Sequence, residues 1–293
     1  MRIPTVILEG KIIPRIIFSI RPSASLGYQE ISSLMKKTYE MGAWCFDLPS
    51  VKHLESFKEL KGLMDDETMI GLCHLKVEEG VSFLGKPIHR FETKVVSTIK
   101  KNLFLPDSVR NLLPTFSSEV FTQREIDRMT FDPLRFDKAL SLFNPKDSPF
   151  LLTGERYADW LLALGRIDLL KEMMSGIREK GFTPIFSGQW ATFVLPKAKP
   201  LDVAAYAVPI NKKWSLFDLT QACDLIKKFD KPVISLNPLA DGKLLRTPEE
   251  AFSFLFDELK IHSAIAEIAS EEDMRMIVEV LKKFPSLISR QKT

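Results

Sequence analysis

The sequence predicts an α/β protein: a single (β/α)8 TIM barrel with a β-hairpin ahead of its first strand and a long helical insertion between strands 3 and 4. Three observations lead there. Short apolar runs rich in Ile, Val, Phe and Leu alternate with longer segments of helical period, the mark of repeated βα units. The length of 293 residues lies close to the roughly 250 of an eight-fold βα barrel. Two helical segments stop at Gly42 and Gly181 and pass at once into apolar runs, as an αβ turn re-entering a barrel does.

Taken in order, Thr5–Leu8 and residues 11–17 flank Glu9-Gly10, which reads as a hairpin turn placed to plug the barrel floor. The eight candidate strands are residues 14–20, 43–47, 68–74, 149–153, 182–187, 202–207, 232–237 and 263–269. Among the helices, residues 28–41 place Ile31, Leu34, Met35 and Thr38 on one face, and residues 166–180 behave alike. Between the third and fourth strands lie about 74 residues, where a βα unit needs roughly half that. Residues 77–148 are therefore an insertion within the one domain, 1–293. Its segment 106–143 carries Phe116, Phe121, Phe131, Phe136 and Phe143 among charged residues, which predicts extra helices over the barrel mouth, either a lid or a packing or dimerisation elaboration.

Composition narrows the function classes. With 45% hydrophobic and 27% charged residues the chain supports a large core and is not a disordered sequence. The net charge of +3 is small and its Lys and Arg are dispersed, which argues against a nucleic-acid partner. The apolar N-terminus is broken by Pro4, Glu9, Lys11, Pro14 and Arg15, unlike a signal peptide, and no run reaches the about 18 apolar residues of a membrane span. Cys45, Cys73 and Cys223 form no CxxC pair, so neither a disulfide framework nor a cysteine zinc site is expected, and a reducing, cytoplasmic location is.

In a barrel the C-terminal ends of the strands face the active site. The polar residues there include Ser19, Asp47, His74, Lys76, Glu155, Ser187, Gln189, Asn237, Asp241 and Glu267, a rim rich enough to imply a small-molecule ligand. Asp47, directly after the apolar Trp44-Cys45-Phe46, requires a cationic partner, and Lys76 is the one expected. Lys76 or Lys52 would serve as a Schiff-base lysine if desolvated. Asp47, His74, Glu155 and Glu267 have metal-ligand chemistry, but no His-x-His or His-x-x-x-His pair accompanies them, and no metal is expected.

Four passages together resemble the aldo-keto reductases: VILEGKIIPRIIF (6–18), YEMGAWCFD (39–47), REKGFTPIFS (178–187) and PVISLNPLADGKL (232–244). The resemblance implies a reductase barrel with NADP as cofactor. It assigns Asp47 to the family's catalytic Asp, Lys76 to its Lys, and Ser187 to the nicotinamide amide. It places Asn237, Leu239, Gly242 and Lys243 in the loop beside the pyrophosphate, and Ser270 and Arg275 at the adenosine phosphates. The pattern also departs from the family. Lys52 stands five residues beyond Asp47 where the family has its Tyr acid, the fourth strand ends at Thr153 without the His, Leu236 replaces a stacking aromatic, and Gly188 replaces an Asn. The implied function is an aldo-keto-reductase-like barrel with a degenerate tetrad, a nucleotide-binding relative of the oxidoreductases. The alternatives are a non-redox lyase or isomerase acting on a small phosphorylated molecule, with Asp47, Lys76 and Glu155 in acid–base roles, and a catalytically inactive binding protein.

Overall fold

The computed structural model describes residues 3–21, 26–102, 119–213 and 218–286. The chain opens on the antiparallel pair β1 (Thr5–Leu8) and β2 (Lys11–Pro14), registered from Thr5 opposite Pro14 to Leu8 opposite Lys11. Glu9 and Gly10 both take positive φ, 46° and 77°, which is the two-residue turn whose twist matches its strands. Next come β3 (Ile16–Ile20), β4 (Cys45–Leu48) and β5 (Ile70–Lys76). Within the insertion lie β6 (Val81–Phe83), β7 (Lys86–Pro87) and β8 (Met129–Phe131). The chain then forms β9 (Phe150–Gly154), β10 (Thr183–Ser187), β11 (Ala205–Pro209), β12 (Val233–Leu236) and β13 (Ser263–Ile268). Strands β3, β4, β5 and β9 to β13 close a parallel eight-stranded barrel in that order, β13 pairing back onto β3. Each of the eight apolar runs overlaps one of these strands, four of which (β4, β5, β9 and β11) extend one or two residues past the end of the run.

The strands read as unbroken apolar runs because a parallel sheet is buried on both faces. The outer faces pack on the ring helices, while Ile17, Cys45, Leu72, Phe150, Leu152, Ile185, Ala205, Ala207, Ile234 and Ile265 fill the interior. Val6, Leu8 and Ile13 of the hairpin join this inner cluster, so the hairpin does plug the barrel. Arg15 follows it, 2% exposed, stacked 4.0 Å from the Phe256 ring and donating to the carbonyls of Ile261 and Pro285. Burial lowers its guanidinium to about 10, and these contacts tie the start of the barrel to its end.

The insertion is not purely helical as expected. Besides the helices Glu92–Asn102, Gln123–Ile126 and Pro133–Leu140, it contains a three-stranded antiparallel sheet ordered β7-β6-β8. Leu84 and Gly85 turn at φ 51° and 73° between β6 and β7, and Phe83 meets Phe91 and Phe121 edge-on with centroids 5.1 and 5.0 Å apart. Aromatic side chains that suggested helix faces thus pack a small sheet; Phe116 lies outside the described residues. The described part of the insertion packs against Arg166 and the helix Ile167–Glu179 that follows it. Arg166 donates to the carbonyls of Ile126 and Met129, and the Phe136 ring lies so near Gly176 that a Cβ there would stand 2.9 Å from it. Among the described residues no helix is long and apolar enough to cross a membrane.

Candidate functional site

Side chains alternate between the two faces of a strand, so each barrel strand presents its last inward residue to the mouth. Ser19, Asp47, His74, Ser187, Pro209, Leu236 and Glu267 occupy those places and line a cavity of about 450 Å³ with Glu155, Gln189, Asn237 and Asp241 around it. The registers Glu267 beside Ser19 and Ser19 beside Asp47 set three polar residues side by side across β13, β3 and β4.

Asp47 is 3% exposed and fully engaged: Ser19 donates its hydroxyl to Oδ2 at 2.7 Å, and His74 Nε2 lies 2.6 Å from Oδ1. The other imidazole nitrogen, Nδ1, faces Glu155 Oε1 at 3.6 Å. Burial alone would lower the His74 pKa, but Asp47 and then Glu155 outweigh it and raise it to about 10, so the ring is an imidazolium at neutral pH. Glu155 reaches it through an unusual backbone. Gly154 has φ 147°, and a Cβ there would sit 1.9 Å from the Ser187 carbonyl oxygen, so only glycine fits; Glu155 follows at φ 58° and begins the helix Glu155–Ala163. His74 is the main reason the Glu155 carboxyl lies below its ordinary range. Glu267 is displaced in the opposite direction: burial pushes it up, Arg21 at 3.6 Å opposes this, and Asp47 and Asp241 add to the rise.

The partner of Asp47 is therefore His74 and not Lys76. Lys76 lies two residues further along β5, exposed at the strand's end, and lines a neighbouring groove rather than the mouth. Lys52 is exposed on the first turn of the helix Val51–Met64 and lines neither space. Ser187 does line the mouth, and its hydroxyl is buried without a hydrogen-bond partner. Asn237 lines it too, but its side chain is closed on Asp241: Nδ2 donates to Asp241 Oδ1 at 2.8 Å and Asp241 N donates to Asn237 Oδ1 at 2.7 Å. Positive φ at Asn237, Ala240, Asp241 and Gly242 winds this loop tightly, with Leu239 buried in the core and Lys243 exposed. Ser270 caps the helix Glu271–Leu281, accepting from Asp273 N, while Asp273 Oδ2 takes the backbone N–H groups of Ala269 and Ser270. Arg275 pairs with Glu271 at 2.6 Å.

One buried carboxylate has no counterpart in the sequence reading. Asp159, 1% exposed on the helix Glu155–Ala163, accepts from the backbone N–H groups of Gln189 and Trp190 and so fixes the loop that carries Gln189 to the cavity. Burial pushes its carboxyl well above the usual range. An acid inside the apolar helix YADWLLA was the only signal. The four tyrosines are all engaged elsewhere, Tyr28 with Glu59, Tyr39 with Asp66, Tyr157 with Glu92 and Tyr206 with the Ala198 carbonyl. Among the described residues no group of three or more His, Cys, Asp or Glu could hold a metal ion, and none of the insertion lines the mouth cavity.

Solved structures similar to this architecture include aldo-keto reductases. One from Bacillus halodurans, in its holo form, superposes with a TM-score of 0.57 at 13% identity, covering 98% of this chain and 93% of its own. One from Bombyx mori in complex with NADP gives 0.55 at 12% identity, covering 98% and 90%. One from Brucella melitensis gives 0.55 at 11% identity, covering 97% and 95%. The chain has the aldo-keto reductase fold. No protein-family model and no curated protein matches its sequence. Within that fold the Asp-bound cation at the mouth, for which the resemblance supplied a Lys, is His74 on β5.

Proposed function

We propose that this chain is a small-molecule enzyme of the aldo-keto reductase fold that transfers protons at the barrel mouth and does not work as an NADP-dependent carbonyl reductase. The observation that carries the reading is the clamp Asp47–His74–Glu155 in a cavity that also holds Glu267. Two carboxyls whose environments displace their pKa values in opposite directions divide naturally into base and acid. Glu155, held ionised by His74, takes a proton from the substrate; Glu267, held towards its neutral form by burial, returns one. Asp47 orients His74 and keeps it charged. This is the chemistry of an isomerase or lyase. It requires no tyrosine, and none lines the cavity.

The second reading, a nucleotide-binding reductase, rests on the fold and on the Bombyx mori relative's complex with NADP. The last βα turn disfavours it. The helix beginning at Glu271 carries Glu271, Glu272 and Asp273 in its first turn, and Asp273 occupies backbone N–H groups that a phosphate would need. Two measurements separate the readings. Incubation with a metabolite mixture in D2O, read by mass spectrometry, is expected to show C–H to C–D exchange that Glu155→Gln abolishes. Titration with NADPH is expected to leave the fluorescence of the four tryptophans unchanged. Saturable quenching by NADPH, together with aldehyde reduction lost in Asp47→Asn, would establish the reductase instead.

A further inference from the structure

Beside the mouth a second, larger cavity runs between the start of the helix Val51–Met64 and the insertion helix Pro133–Leu140, and the two spaces share Pro49 and His74 as a common wall. Its volume of about 700 Å³ lies within the range of small-ligand sites, roughly 300–1,000 Å³. The walls have two characters. Leu48, Val51, Leu54, Leu142 and Phe143 make it apolar, whereas Lys76, Arg135 and Lys138, besides the shared His74, bring cations against the single carboxylate of Glu79. Neither lysine side chain makes an ion pair with a described residue. Arg135 is anchored by Asp132, which accepts from Nε at 2.8 Å and Nη2 at 2.6 Å, yet its Nη1 is buried with no hydrogen-bond partner. The mouth, by contrast, sets the acidic side chains of Asp47, Glu155, Asp241 and Glu267 around the one cation His74, so its acidic groups outnumber its cations where the groove has the reverse.

We propose that this groove is a binding site for an amphiphilic organic anion, a phosphate or carboxylate head on an apolar body. The head lies among the cationic side chains of Lys76, Lys138 and Arg135, and the body covers Leu54, Leu142 and Phe143. The proposal goes beyond the acid–base reading of the mouth and stands without it.

Calorimetric titration of the intact protein with octyl phosphate, octanoate, octanol and inorganic phosphate tests it. Octyl phosphate or octanoate is expected to bind at least about tenfold more tightly than octanol and than inorganic phosphate. The tighter of the two anions identifies the head group. The double variant Lys76→Glu/Lys138→Glu alters exposed side chains, so it is expected to keep the wild-type melting temperature while losing at least about tenfold in affinity for that anion. Glu155→Gln, which disables the mouth, is expected to bind the anion as the wild type does, so that failure of the mouth chemistry and failure of the groove are told apart. Equal binding of octanol and the anions, no binding of either anion, or an unchanged affinity in the double variant would overturn the proposal.

Discussion

On the β4–β5–β9 side of the mouth, a histidine is held between two carboxylates and a glycine is forced into a conformation that only glycine tolerates. On the β12–β13 side, the polar residues that the sequence marks for a cofactor bond to one another: Asn237 to Asp241, Ser270 to Asp273, Arg275 to Glu271. On the first side Asp47 and His74 meet in a space of low exposure, where their interaction is strong and its loss costly, while Glu155 approaches the imidazole from the exposed edge. The second is a set of ordinary turn and cap contacts at the surface. The contrast shows that residue type at a strand end marks a rim, while the partners of each residue decide whether it faces a ligand or its own backbone.

Substitutions on the first side should therefore cost far more than those on the second. His74→Leu leaves Asp47 buried with only the Ser19 hydroxyl, and a loss of about 3–5 kcal/mol in urea unfolding is expected; a loss below about 1 kcal/mol would mean that Asp47 does not depend on the imidazolium. Gly154→Ala forces a Cβ onto the Ser187 carbonyl, and a loss of about 3 kcal/mol is expected by the same measurement, accompanied by disturbance of the Glu155 position. Ser270→Ala removes one helix cap at an exposed site, with an expected loss of about 1 kcal/mol. A Ser270→Ala effect as large as that of His74→Leu would break the comparison.

The eight strands were legible because burial on both faces leaves short apolar runs, and the hairpin was legible because Glu9-Gly10 is a turn pair between two such runs. Asp47 was legible as well, being a carboxylate directly after an apolar stretch. Its partner was not. The barrel's register sets Asp47 beside Leu72, so the inward residue that next reaches it is His74, and this offset depends on how strands are staggered around the barrel, which no single strand encodes. The sheet in the insertion was hidden because β6, β7 and β8 span three residues or fewer, too short to show an alternating pattern. Asp159 gave a signal only as an anomaly, since its partners are backbone N–H groups about thirty residues away. Nothing in the sequence singled out Arg135 and Lys138, because the groove they line is made by packing between distant segments.

The charge state of His74 decides whether the mouth is an acid–base site, and it also fixes a sign for pH dependence. Its pKa is raised from 6.5 to about 10, so the stability it contributes is complete below about 6.5 and is lost as the pH rises towards and through 10. The direct measurement is an NMR titration of the imidazole signals of His74, assigned by comparison with the His74→Leu spectrum, from pH 5 to pH 11. The account predicts that His74 stays protonated through pH 8 and titrates near 10, and that in Asp47→Asn its midpoint falls. A midpoint near 6.5 that Asp47→Asn leaves in place would contradict it.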